Sequence, residues 1–176
     1  MHIEETKLDG VLLLKPKIFE DFRGGYSMTY NEEEYDQAFS KFGLNQIRFV
    51  EDDISYSSKH VLRGIHGSYD TAKLISCLEG SFYFVVVNNI TDHPQYGQWA
   101  SFTLSERNRF QVYVPEGFGN AHLVMSDKAI FSYKQSSYYN PSGQFTLLWN
   151  DPKLNIWWPI KEPIISMRDQ VGHFVD

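Results

Sequence analysis

The sequence predicts an all-β fold: a jelly-roll β-sandwich closing into a small barrel, with one or a few short helices and an extended C-terminal arm. Three observations point there. Phe, Tyr and Trp make up 16% of the 176 residues, and ring and β-branched side chains suit a pleated, half-buried surface. Short runs of strand character recur along most of the chain, separated by turn-forming residues. Only one stretch has the cap and length of a regular helix. A chain of this size makes one domain with a substantial core.

The elements follow in order. Strands are expected over 11–14 and 25–30, then a helix over 32–42 with Asn31 as its N-cap. Further strands are expected over 46–53, 61–65, 73–77 and 81–88, the last carrying Phe82-Tyr83-Phe84-Val85-Val86-Val87. The series continues with 100–104, 110–114, 122–125, 129–135 and 145–149. Breakers fall at Gly67, between Asp92 and Pro94, at Pro115-Glu116-Gly117 and at Asn140-Pro141-Ser142-Gly143. Many short strands with little helix suit a sandwich or jelly roll. The last thirty or so residues, with Pro152, Pro159 and Pro163, read as an arm laid over the barrel. Trp149, Trp157 and Trp158 in or beside that arm need apolar cover, and an N-terminal strand paired across a two-fold axis would close an open sheet edge. A homodimer is therefore expected.

A net charge of −6 and a pI near 5.5 argue against a nucleic-acid surface, which carries a basic excess. No apolar run approaches the roughly 18–20 residues that cross a bilayer. Met1-His2-Ile3-Glu4-Glu5 lacks the pattern of a signal peptide, so a cytoplasmic protein is expected. Cys77, the single cysteine, reads as a buried core thiol.

Val61-Leu62-Arg63-Gly64-Ile65-His66 places a guanidinium and an imidazole three residues apart, and Lys73 follows at the start of the next strand. Two cations and a titratable base so close together suggest a pocket for an anionic substrate on which a proton moves. A small barrel with histidines also raises the metal-binding cupin pattern, which needs two histidines separated by one residue and a further histidine after a Pro-x-Gly turn. Here Gly67 and Ser68 follow His66, and Asn120 stands at the later ligand position. An amide is a poor transition-metal ligand. His122 lies on the same strand face as Asn120, yet no metal or other cofactor is expected. The pocket must then work by acid–base chemistry, with His66 as a base poised near neutrality. Its orienting carboxylate is Asp52, Asp53 or Asp169, and the residues alone do not choose.

These residues carry a resemblance. Asp21-Phe22-Arg23-Gly24, Val61 to His66, Lys73-Leu74, Tyr96-Gly97-Gln98-Trp99, Val114-Pro115-Glu116-Gly117-Phe118, Tyr133-Lys134, Tyr138-Tyr139, Trp149-Asn150-Asp151-Pro152 and Ser166-Met167-Arg168-Asp169 occur in the order and spacing of one family. Over almost its whole length the chain resembles the dTDP-4-dehydrorhamnose 3,5-epimerases, cupin-like enzymes that use no metal. The resemblance implies proton exchange at the carbons flanking the ketone of a nucleotide-diphosphate 4-keto sugar. It implies His66 as base with Asp169 as its partner, Lys73 as the cation facing the C4 enolate oxygen, and Tyr133 as the acid on the opposite face. Arg63 and Arg23 would grip the diphosphate, Arg23 reaching in from a partner subunit. Ser55 would line the substrate pocket, and Tyr138 would lie against the base or the sugar.

The departures from the family pattern cluster in the pocket. Glu51 and Asp53 stand where the family carries Gln and Asn, Met28 where it often has Glu, and Gly119-Asn120-Ala121 where it has Ala-His-Gly. The loop between His66 and Lys73 is shorter. The expected substrate is accordingly a GDP-linked 4-keto heptose or 6-deoxyheptose of surface polysaccharide synthesis, with Glu51 or Asp53 accepting from guanine N1–H and N2–H and Asn120 contacting the sugar. Inversion at C3 alone is the first alternative. A 3,4-ketoisomerase and a non-catalytic sugar-nucleotide binding module are the others, and the Lys73, Tyr133 and Asp169 matches weigh against both.

Overall fold

In the computed structural model, which describes residues 1–175, two antiparallel sheets pack face to face. The first runs in the order β1 (His2–Glu5), β2 (Leu12–Lys15), β10 (Gln111–Val114), β7 (Lys73–Glu79), β12 (Lys128–Gln135) and β5 (Glu51–Ser58). The second runs β13 (Gln144–Thr146), β6 (Leu62–Ser68), β11 (Phe118–Val124), β8 (Ser81–Asn88) and β9 (Trp99–Ser105). A separate hairpin, β3 (Phe19–Asp21) with β4 (Gly24–Tyr26), projects with every residue exposed.

Three apolar layers account for the buried strand runs. Ile75, Val112 and Phe131 of the first sheet meet Phe82, Phe84, Val86 and Val124 of the second between the sheets. Outside the first sheet, helix α1 (Glu32–Ser40) lays Tyr35 and Phe39 onto Leu12, Leu14, Leu74 and Tyr113. Outside the second, Leu147, Leu154 and Val175 of the C-terminal arm cover Ile65, Val85, Val87 and Ala121. Strand β8 is thus covered on both faces, which is why its sequence is apolar without alternation.

Helix α1 starts where its cap requires: the Asn31 side-chain oxygen accepts the Glu34 N–H at 3.0 Å. Glu32, Glu33 and Glu34 add negative charge in the first turn, where the helix dipole favours it. The helix ends at Ser40, short of the expected 42.

Several expected boundaries move for local reasons. The strand expected over 25–30 shrinks to β4, because Met28 and Tyr30 turn inward against the α1 layer. The strand expected from 46 begins at Glu51, since Gln46 adopts φ +60°, which no strand accommodates. Gly67 is not a breaker. It lies inside β6, and the Phe145 ring occupies the space where its Cβ would stand. The N-terminal strand pairs with β2 of its own chain and forms an edge of the six-stranded sheet. Trp158 finds cover against the arm layer and donates its indole N–H to the Trp149 carbonyl at 2.9 Å, while Trp157 stays exposed. The arm also carries a short helix, α2 (Met167–Gln170), that the sequence did not announce.

Candidate active site

His66, Lys73 and Tyr133 come from β6, β7 and β12 and line one cavity of about 210 Å³. His66 lies on the five-stranded sheet; Lys73 and Tyr133 lie on the six-stranded sheet. Across this cavity the imidazole and the phenol therefore stand on opposing walls. A wider depression of about 740 Å³ beside α1 is lined by Glu32, Glu33, Asp36 and Arg48. It has volume without a base facing an acid.

The three carboxylates left open by the sequence separate cleanly. Asp169 Oδ1 lies 2.6 Å from His66 Nε2. Asp52 points outward to Lys134 Nζ at 2.6 Å. Asp53 stands opposite Tyr133 in the β5–β12 register. Asp169 is 1% exposed and is held from three sides: its second oxygen accepts the Gly64 N–H at 3.4 Å, and its own N–H is capped by Ser166 Oγ at 3.2 Å. Burial works to raise its pKa, but the bonds from His66, Gly64 and Ser166 outweigh that and the carboxyl lies below its ordinary value. An ionised carboxylate at Nε2 fixes the tautomer with the proton there, leaving Nδ1 to accept another. Gly64 also lets β6 and β11 lie close together. Its φ is +117°, and a Cβ would meet the Asn120 carbonyl oxygen at 2.5 Å.

Lys73 is 9% exposed. Burial, and then the nearby Arg168, lower its pKa to about 8, with Asp53 pulling the other way. Its ammonium lies 5.7 Å from the centre of the Tyr133 ring, so ammonium and phenol are neighbours. Burial and the Asp53 carboxylate push the Tyr133 phenol up to about 12. It is a protonated donor across the working range.

The remaining expected residues divide. Ser55, Arg63 and Asn120 line the cavity; Arg63 Nε donates to Ser57 Oγ at 2.9 Å. Glu51 and Asp53 are occupied. Gln135 Nε2 donates to both, at 2.8 and 3.2 Å, and Tyr139 N–H donates to Glu51 at 3.1 Å. Burial followed by the adjacent Glu51 raises the Asp53 carboxyl above its ordinary value. Cross-strand register sets it beside Tyr133. Tyr139 lines the cavity, whereas Tyr138 is 73% exposed and does not. Arg23 is outside it as well, paired with Asp21 at 2.6 Å on the projecting hairpin.

Sequence reasoning passed over Arg168 and Gln144, and weighed His122 only as a metal ligand. Arg168 lines the mouth and donates to Thr146 Oγ1 at 3.1 Å; its place beside Asp169 in Ser166-Met167-Arg168-Asp169 was the available signal. His122 stacks on Phe131 at 4.1 Å with 10° between the rings. Burial, then Arg63 and His66, lower its pKa to about 3, so it is a neutral wall of the pocket. Among the described residues no three His, Cys, Asp or Glu side chains form a group able to hold a metal ion.

Comparison with known proteins fits this geometry. The family model for dTDP-4-dehydrorhamnose 3,5-epimerase matches residues 5–176. The dTDP-4-dehydrorhamnose 3,5-epimerase of Shigella flexneri is 35% identical over 180 residues, covering 100% of this chain and 97% of that protein. The crystal structure of a dTDP-6-deoxy-D-glucose-3,5-epimerase from Legionella pneumophila, in complex with dTDP-4-keto-L-rhamnose, superposes with a TM-score of 0.91 at 34% identity, covering 99% of this chain and 92% of that one. A 3'-monoepimerase from Streptomyces bikiniensis, bound to dTDP-quinovose, gives a TM-score of 0.89 at 29% identity, covering 97% and 86%. On this full-length agreement in sequence and fold, the chain belongs to the dTDP-4-dehydrorhamnose 3,5-epimerase family of nucleotide-sugar isomerases.

Proposed function

We propose that this chain inverts C3 and C5 of a dTDP-linked 4-keto-6-deoxyhexose. The supporting observation is the opposition of the His66–Asp169 pair to Tyr133 and Lys73 across one cavity. His66 Nδ1 removes the proton from a carbon next to the ketone, and the electron pair moves onto the C4 oxygen. The Lys73 cation faces that oxygen in a site with little water, where a fixed charge is worth most. The Tyr133 hydroxyl returns a proton to the opposite face as the enolate collapses, which inverts the centre. Arg63 and Arg168 supply positive charge for the diphosphate.

The GDP-linked heptose expected from the sequence finds no support. The relatives named above act on or bind dTDP-linked sugars, and Glu51 and Asp53, the residues meant to read guanine, are engaged within the chain. Incubation with matched dTDP- and GDP-linked 4-keto sugars in D2O tests the reading. Deuterium at both C3 and C5 of the dTDP sugar is the expected outcome, and a clear preference for GDP would reverse it. Inversion at C3 alone is the second reading, favoured by the similarity to a 3'-monoepimerase. Deuterium confined to C3 would establish it.

The same proposal takes the chain as a cytoplasmic homodimer. The hairpin of β3 and β4 presents Phe22, 99% exposed, beside Arg23, a tip suited to docking on a second copy and offering the guanidinium to that copy's cavity. Among the described residues no helix is long and apolar enough to cross a membrane. Sedimentation of wild type and Phe22→Ser is the test; a wild type that stays monomeric removes the dimer from the reading.

A further inference from the structure

Asn120 sits at the centre of the five-stranded sheet, paired with His66 on one side and Val86 on the other. Its side chain lines the catalytic cavity and is 7% exposed. Its Oδ1 is the one buried side-chain polar atom among the described residues without a hydrogen-bond partner. Such an atom destabilises the empty protein, because it has left water and gained nothing. Every other buried side-chain polar atom described is satisfied, including those on Gln111, Gln135 and Asp169. An acceptor left open beside the base, in a strand clamped on both edges, is suited to a donor that arrives with the substrate.

We propose that Asn120 is a specificity-determining residue whose side-chain oxygen accepts a hydrogen bond from a ring hydroxyl of the sugar, on C2 or C3. The inference rests on the epimerase reading and extends it to what the sugar must carry. Position supports the choice of hydroxyl. Asn120 faces His66 directly across the β6–β11 register, so its oxygen lies near the carbon that loses its proton. Of the two carbons beside a C4 ketone, C3 bears a hydroxyl and has a second one on its neighbour, whereas C5 bears the ring oxygen and C6. A deoxygenated sugar leaves Oδ1 buried and unpaired at the transition state, the situation in which a hydrogen-bonding pocket discriminates most strongly.

The test combines substrate and enzyme changes. Solvent-deuterium incorporation at C3 and C5 together is measured for the parent dTDP-4-keto sugar and its 2-deoxy and 3-deoxy analogues, with wild type, Asn120→Leu and Asn120→Asp. On the parent, Asn120→Leu is expected to lose roughly 10–100-fold in kcat/KM. On the analogue lacking the paired hydroxyl, wild type is already slow by a similar factor and Asn120→Leu adds less than about threefold. Asn120→Asp, which keeps an acceptor, is expected to retain the preference for the hydroxylated sugar. Asn120→Leu should also melt at a higher temperature than wild type, because an orphaned acceptor has been removed. An equal loss for Asn120→Leu on all three substrates overturns the proposal while leaving the epimerase reading intact. A wild type that exchanges no proton of any 4-keto sugar nucleotide overturns both.

Discussion

The five-stranded sheet offers the cavity His66 and Asn120 on adjacent strands and borrows its carboxylate from the arm, whereas the six-stranded sheet offers Lys73 and Tyr133 from adjacent strands of its own. In the proposed mechanism one wall takes a proton, and the other holds negative charge and gives a proton back. The walls differ in how they are made. The base gains its carboxylate through one hydrogen bond to a distant segment, while cation and acid are set by burial inside a continuous sheet. Opposing sheets are a direct way to address two faces of one sugar ring, because neither wall has to move.

The sharpest way to break the comparison is to remove the base. His66→Asn is expected to lower deuterium exchange at both carbons by about 10³-fold or more, and exchange surviving at the wild-type rate would move the base elsewhere. Next is the cation. Lys73→Met should cost roughly 10²–10³ in kcat and yet stabilise the protein near neutral pH, by about 1–3 kcal/mol in denaturant titration. The sign follows from its pKa of about 8 against 10.5 for the free side chain. Below 8 the folded protein bears the full cost of a buried cation. That cost is relieved as pH rises from about 8 towards 10.5, where the unfolded chain holds more protons. For the same reason kcat/KM in wild type should decline as pH rises through about 8.

A smaller effect belongs to the acid. Tyr133→Phe is expected to slow net inversion about 10–100-fold while His66-dependent exchange stays within a few-fold of wild type. Matched losses in both would place Tyr133 in proton removal as well. The smallest tests the carboxylate behind the six-stranded wall. Asp53→Asn removes a charge that raises both the Lys73 ammonium and the Tyr133 phenol. The alkaline limb of kcat/KM should move to lower pH with less than a tenfold change at neutrality, and an unmoved limb would show that Asp53 and Lys73 are uncoupled.

Much of this arrangement was legible in the sequence, and the exceptions have physical reasons. β8 and β12 were plain because apolar and aromatic side chains fill them; β1 and β3 were missed because their residues are mostly exposed and polar, with no period to read. Gly67 misled because a glycine required by a packed ring looks like one required by a turn. At the site, His66, Lys73 and Tyr133 were found through their motifs. Asp169 could not be picked from the residues alone: the hydrogen bond that selects it spans 103 positions, and no local pattern encodes contact at that range. Asp53 was assigned to the wrong neighbour, since cross-strand register places it beside Tyr133 and register is invisible until the sheet is built.

In the proposed mechanism that long-range bond makes proton exchange contingent on a local opening reaction. Asp169 reaches His66 only while α2 is docked, and besides that bond the segment around it is secured by the Gly64 N–H to Asp169, the Arg168–Thr146 bond, and backbone bonds of Ile164 to His60 and Leu62 and of His173 to Thr146 and Leu148. The sandwich beneath is held by full ladders. Segments of this kind open at lower free energy than the sheets they lie on. Mild denaturant should therefore silence proton exchange while the sheets still give a native spectrum, so that enzymatic rate becomes a gauge of arm docking rather than of global folding.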